Sequence, residues 1–223
     1  MYNIAYGLSR LLGRFIGFQC VRPVILNTER GRLPGGVILA TNHLGNLDPF
    51  VMSCIYHRQV YWMARIEFYR FFLFRWFLFL MNTIPVDRFG VPVKAIRSAI
   101  ARARQDRVVG IYPEGGVAVA KVSMLFGGTF KRGACTVALR AGVPIVPVVM
   151  VGTQMMNAVK PWLPFRRARV FVNYGHPIFP KSLHGRKTHR QMRIELADQL
   201  AIAFQAAYRE LEDAVPECRN YMR

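Results

Sequence analysis

Short apolar runs rich in Val and Ile alternate with segments of helical period along this chain, and that alternation limits its possible folds more than any other feature. The runs are Val37–Ala40, Val60–Ala64, Val108–Tyr112, Ile145–Val151 and Arg169–Asn173. The clearest helical pattern spans Pro92 to Arg104. Val93, Ile96, Ile100 and Ala103 fall at the spacing of a buried stripe, with Lys94, Arg97 and Arg104 on a basic face. A longer pattern from Thr188 to about Glu212 turns Ile194, Leu196, Leu200 and Phe204 to one side. Strands separated by helices predict an α/β protein on a single central, mostly mixed β-sheet flanked by helices. A chain of 223 residues fits one such domain.

The N-terminal stretch differs. Ile4, Leu8, Leu11, Leu12 and Phe15 fall on one helical face, with Arg10 and Arg14 elsewhere. Those arginines interrupt the apolar run, so a signal peptide is not expected. A helix lying in a membrane interface fits this pattern, arginines at the headgroups and Leu/Phe in the acyl layer. The expected division is an amphipathic membrane-associating segment over residues 1–30 and an α/β domain over residues 31–223. Phe68–Met81 is also strongly apolar but carries Arg70 and Arg75, so it reads as core or as an interface-seeking helix, not as a span.

Charge narrows the partners. The formal net charge is +19, and 25 of the 31 basic residues are Arg. Such a chain seeks anionic surfaces or phosphorylated molecules. Cys20, Cys54, Cys135 and Cys218 are scattered without a C-x-x-C pair, so neither a metal site nor a disulfide framework is expected.

Chemistry concentrates in Ala40-Thr-Asn-His-Leu-Gly-Asn-Leu-Asp-Pro-Phe50. It follows an apolar run directly, and Asp48-Pro49 is a good helix start. Strand, tight loop with Gly45, then helix would place His43 at the carboxyl end of a strand, where open α/β sheets carry their sites. Asp48 is close enough across the loop to hold one imidazole nitrogen, fixing the tautomer and leaving the other as a base near neutral pH. Three further segments stand out. Asn82-Thr-Ile-Pro-Val-Asp-Arg88 reads as a short strand ending in an acid and a base. Tyr112-Pro-Glu-Gly-Gly116 closes a strand with a carboxylate in a Gly-rich turn, and Phe130-Lys-Arg-Gly-Ala134 opens a helical run. Gly-rich turns and nearby basic side chains can receive anionic oxygens. His57, His176, His184 and His189 lack a carboxylate at comparable spacing and read as structural or solvated.

Taken in order, these blocks resemble the phospholipid and glycerolipid acyltransferases, the family typified by 1-acylglycerol-3-phosphate acyltransferase. The N-H-x4-D motif stands as Asn42, His43 and Asp48. The later blocks are Ile84-Pro-Val-Asp-Arg88, Pro113-Glu114-Gly115 and Val143-Pro-Ile-Val-Pro147. The resemblance implies acyl transfer from an acyl thioester, on coenzyme A or acyl carrier protein, to the hydroxyl of a lysophospholipid. His43 would be the general base and Asp48 its partner, with Arg88, Glu114, Gly115 and Lys131 binding substrate. It implies no cofactor beyond that donor and no metal, and it places the protein on the cytoplasmic face of a membrane. One departure is visible: the third block usually continues Glu-Gly-Thr-Arg, and here it reads Glu114-Gly115-Gly116-Val117. An acceptor other than a simple lysophosphatidic acid is one consequence. A hydrolase in which His43 activates water remains a rival. A basic nucleic-acid-binding protein is a remote one, since no basic stripe with interleaved aromatics is evident.

Overall fold

The computed structural model describes residues 7, 8, 11, 21–87, 93–118, 122–157, 168–180 and 188–222. Its described strands are β1 (Val21–Leu26), β2 (Val37–Thr41), β3 (Val60–Arg65), β4 (Ile84–Val86), β5 (Val108–Ile111), β6 (Ile145–Val151) and β7 (Ala168–Tyr174). They form a 7-stranded sheet in the order β1-β7-β6-β2-β5-β3-β4. Neighbours are parallel except β6 and β7, which run antiparallel, so the sheet is mixed. The α/β class expected from the sequence is the one observed.

The central strands are buried along their whole length, at every residue of β2, β5 and β6. Both faces are covered, which is why these strands read as continuous apolar runs and not as alternating ones. Successive residues still point to opposite faces. Ile38, Ala40, Val109 and Ile111 enter one core with α3 (Val93–Arg104), α4 (Gly133–Ala141) and α5 (His189–Ala214). Val37, Leu39, Val60, Trp62 and Val108 enter the other, with α1 (Asp48–Ile55).

Two expectations need correction. β1 lies inside residues 1–30, the stretch assigned to an N-terminal segment, yet it pairs with β7 from Val21↔Ala168 to Leu26↔Asn173. Residues 21–26 therefore belong to the sheet. In α3 the buried side chains are Ala95, Ala99, Ile100 and Ala103, whereas Val93 is exposed and Ile96 half-buried. The stripe is rotated onto small residues, which pack the helix closely against its neighbours. The C-terminal helix begins as expected: Thr188 caps α5, its hydroxyl accepting from the Gln191 N–H, while the Gln191 side chain reaches back to the Thr188 N–H.

The Phe68–Met81 stretch becomes a 3-10 turn (Ile66–Arg70) and helix α2 (Phe72–Leu80). Of the N-terminal pattern, residues 7, 8 and 11 are described and helical; the rest of the expected amphipathic helix lies outside the described residues. Among the described residues no helix is long and apolar enough to cross a membrane.

Candidate active site

The site is built where β2 ends. Past Thr41 the strand has no further backbone partner on β6, and the Asn42 side chain takes over. Its amide donates to the Met150 carbonyl at 2.9 Å and its oxygen accepts from the Met150 N–H at 2.7 Å. A carboxamide carries the same donor and acceptor as a peptide group, so Asn42 extends the β2–β6 ladder and fixes where the next residue begins.

That residue is His43. Its Nδ1 lies 2.8 Å from Asp48 Oδ2, and the same oxygen accepts from the N–H groups of Leu44 and Gly45 at 3.0 Å each. A carboxylate only accepts, so Nδ1 carries a proton in this contact, and in the neutral ring Nε2 is the nitrogen left with the lone pair. Asp48 is 1% exposed and His43 14%. The Asp48 carboxylate is thus sealed off, while part of the His43 side chain still reaches the surface. Asp48 opens α1 with Pro49 behind it, so its charge also sits at the positive end of that helix.

The imidazole is braced on its face as well. Tyr112, directly after β5, stacks on it with centroids 4.2 Å apart and planes inclined by 25°. Trp62 of β3 stacks on the far side of Tyr112 at 4.9 Å and 15°. The Trp62 N–H donates to Ser53 Oγ at 2.9 Å, and Ser53 donates to the Pro49 carbonyl at 2.7 Å, which returns the chain of contacts to α1. Burial, and then the nearby Asp48 charge, push the Tyr112 hydroxyl well above its ordinary value, so it stays neutral. That hydroxyl has no hydrogen-bond partner among the described residues.

Glu114 holds the loop from a third direction. One carboxylate oxygen accepts the His43 backbone N–H at 2.5 Å; the other accepts the Ser123 hydroxyl at 2.5 Å and the Met124 N–H at 2.9 Å. Both oxygens are engaged inside the protein. Gly115 follows at φ +74°, with the Lys131 side chain folded over it: a Cβ there would lie 3.1 Å from Lys131 Cε and 3.3 Å from Nζ. The Lys131 N–H is anchored on the Pro113 carbonyl at 2.8 Å. Asn157, beyond β6, closes the arrangement, accepting from the Asn46 N–H at 2.8 Å and donating to the Leu44 carbonyl at 3.1 Å.

The structure therefore brings His43, Asp48, Glu114, Gly115 and Lys131 together; Arg88 lies outside the described residues. Sequence reasoning missed Tyr112, Trp62, Ser123 and Asn157, which reach the loop only through the fold. Among the other histidines, His57 packs beside Tyr56, His176 lies 3.9 Å from Glu210, His189 is exposed at the start of α5, and His184 lies outside the described residues.

The arrangement defines a class: an α/β domain whose histidine–aspartate pair stands at the carboxyl ends of parallel strands. A family model described as Acyltransferase matches residues 24–151, from β1 through β6. The chain belongs to this acyltransferase family. It is 30% identical over 152 residues to a Mycoplasma pneumoniae protein described as "Probable 1-acyl-sn-glycerol-3-phosphate acyltransferase", a match covering 65% of this chain and 54% of that protein. It is 25% identical over 155 residues to the 1-acyl-sn-glycerol-3-phosphate acyltransferase of Bacillus subtilis, covering 69% and 72%. The chain thus spans about half of the first relative's length and most of the second's. A solved structure, the 1-acyl-sn-glycerophosphate acyltransferase PlsC from Thermotoga maritima, superposes with a TM-score of 0.68 at 19% identity, over 90% of this chain and 78% of that one. At that identity it shows the shared fold.

Proposed function

We propose that this protein transfers a fatty acyl group from an acyl thioester to the free hydroxyl of a lysophospholipid such as 1-acylglycerol-3-phosphate. The observation that carries this reading is the His43–Asp48 contact, with Nδ1 held and the His43 side chain still partly exposed. In the reaction Nε2 takes the proton of the acceptor hydroxyl as its oxygen attacks the thioester carbonyl. The tetrahedral intermediate collapses by breaking the C–S bond, and the departing thiolate receives the proton back from the imidazolium. Asp48 stays ionised and stabilises that cation, as in a serine hydrolase triad whose nucleophile is the substrate.

The donor is carried by coenzyme A or acyl carrier protein, both anionic and suited to a chain of +19. Lys131 beside Gly115, together with Arg88, receives the acceptor phosphate, and Glu114 braces the His43 loop. Val117 stands where the family pattern has Arg, which relaxes the demand for a terminal phosphate monoester. The reaction takes place at the cytoplasmic face of a membrane, with residues 1–20 adding an interfacial contact through side chains such as the exposed Leu8 and Leu11.

The test is direct. The purified chain is incubated with an isotopically labelled acyl thioester and 1-acylglycerol-3-phosphate, and products are identified by mass spectrometry. Labelled diacyl phospholipid, absent with His43→Ala, is the expected outcome. Free labelled fatty acid alone would make the enzyme a hydrolase.

A further inference from the structure

We infer that residues 66–79 form a docking arm that inserts into an anionic phospholipid surface. The inference does not need the proposed reaction, only the shape and chemistry of this segment. In α2 the stripe Phe72, Arg75, Trp76 and Phe79, spaced i, i+3, i+4 and i+7, faces outward. Phe72, Trp76 and Phe79 are 64%, 54% and 71% exposed, and Phe71 just before the helix is 66% exposed. Leu78 is the buried anchor of the same helix. A short helix normally turns its aromatic side inward; this one does the reverse, and contiguous exposed apolar surface of that kind marks an interaction site.

The arm is held in shape. Tyr69 hydrogen-bonds with the Thr83 hydroxyl, and Thr83 bonds back to the Leu78 carbonyl through both its hydroxyl and its N–H. Trp76 meets Phe72 and Phe79 edge-on, with centroids 6.4 Å apart in both pairs. The rings form one cluster presented to the outside.

Charge selects the occupant. Arg65, Arg70 and Arg75 are exposed among the aromatics, and the Arg75 guanidinium lies 5.9 Å above the Phe72 ring. Aromatic rings at the acyl boundary with arginines at the headgroups are what an anionic bilayer surface receives. A second copy of this chain would bring +19 against +19, and like arginines against each other. Position agrees: β3 is parallel to β5, which is parallel to β2, so the arm leaves the sheet at the end where His43 stands.

The full chain and a Phe72→Ser/Trp76→Ser/Phe79→Ser variant are tested on vesicles of phosphatidylcholine and phosphatidylglycerol in equal amounts. Because the three side chains are exposed, the variant should keep its far-ultraviolet circular dichroism. Its partition coefficient should fall by about tenfold or more, given the apolar area withdrawn from the acyl layer. Brominated acyl chains should quench Trp76 in the full chain, read as the difference between it and Trp76→Phe. Normal partition of the folded variant, or no Trp76 quenching because residues 1–20 or a second copy cover the patch, overturns the inference. Acyl transfer is followed separately on a short-chain lysophosphatidic acid below its micelle concentration. Failure there with the arm still quenched removes the enzymatic reading and leaves the docking arm standing.

Discussion

The imidazole of His43 lies face to face with the ring of Tyr112, 4.2 Å from centroid to centroid. The stack fixes the plane of the imidazole from one face, while Asp48 holds its Nδ1 edge. Tyr112→Leu removes that brace and should lower turnover. Tyr112→Phe keeps the stack and should leave turnover close to that of the parent. It should also be as stable as the parent or more so by about 1 kcal/mol, because a buried hydroxyl without a partner is removed. Steady-state rates and thermal melts of both variants check this.

His43→Ala should reduce turnover by about 100-fold or more, the low end for loss of a general base. The fold should persist, since His43 is on a loop. Asp48→Asn should damage both catalysis and stability. Its Oδ2 accepts three hydrogen bonds, and an amide cannot stabilise the imidazolium. Kinetics beside chemical denaturation separate the two effects.

Glu114→Gln should cost about 2–3 kcal/mol in denaturant unfolding, since it removes charge from hydrogen bonds to His43, Ser123 and Met124. Turnover should fall as well, because the His43 N–H loses its anchor. KM for the acceptor should move little. A large rise in KM with unchanged stability would instead mean that Glu114 contacts substrate.

Gly110 pairs with Trp62 across β5 and β3, and a Cβ there would lie 2.3 Å from the indole. Gly110→Ala should destabilise by about 1–3 kcal/mol through overpacking. The displaced indole would push on Tyr112 and so reach His43. Activity per folded molecule should therefore fall, although residue 110 touches no reacting atom.

Lys131→Ala should raise KM for a phosphate-bearing acceptor by about 10- to 150-fold, the worth of one charge-assisted contact. Val117→Arg should sharpen the preference for lysophosphatidic acid over diester lyso-lipids. Competition between such acceptors, with products weighed by mass spectrometry, decides both.

Much of this was readable from the chain. β2, β5 and β6 announce themselves because strands buried on both faces need apolar residues throughout. His43 and Asp48 were readable because a short loop puts them within reach of each other and because the blocks that follow resemble a known family's in the same order. β1 was not. Arg22 and Pro23 interrupt it, and an edge strand tolerates both, since proline lacks only a donor that the edge can spare. The α3 stripe was half right: Ile100 and Ala103 are buried as expected, but Ala95 and Ala99 were passed over because alanines weigh little in a hydrophobic count yet permit the closest packing. Tyr112, Trp62, Ser123 and Asn157 belong to the site through pairings remote in sequence, which no local pattern encodes.

The reversal between β6 and β7 has a geometric result. β7 starts at the end where β6 finishes, and β1 lies parallel to β7 with Val21 level with Ala168. β1 therefore begins at the His43 end of the sheet, the end from which α2 also projects. The opposite end holds the polar clasp in which Glu210 of α5 accepts from Arg30 at 2.6 Å and from Asn173 at 3.3 Å. The described residues are polarised along the strands: one pole gathers the His43 site, the aromatic arm and the start of β1, and the other holds that clasp. With the inferred docking arm seated in a bilayer, that polarity would set the strands upright on the surface, and a lipid would reach the site sideways without crossing water.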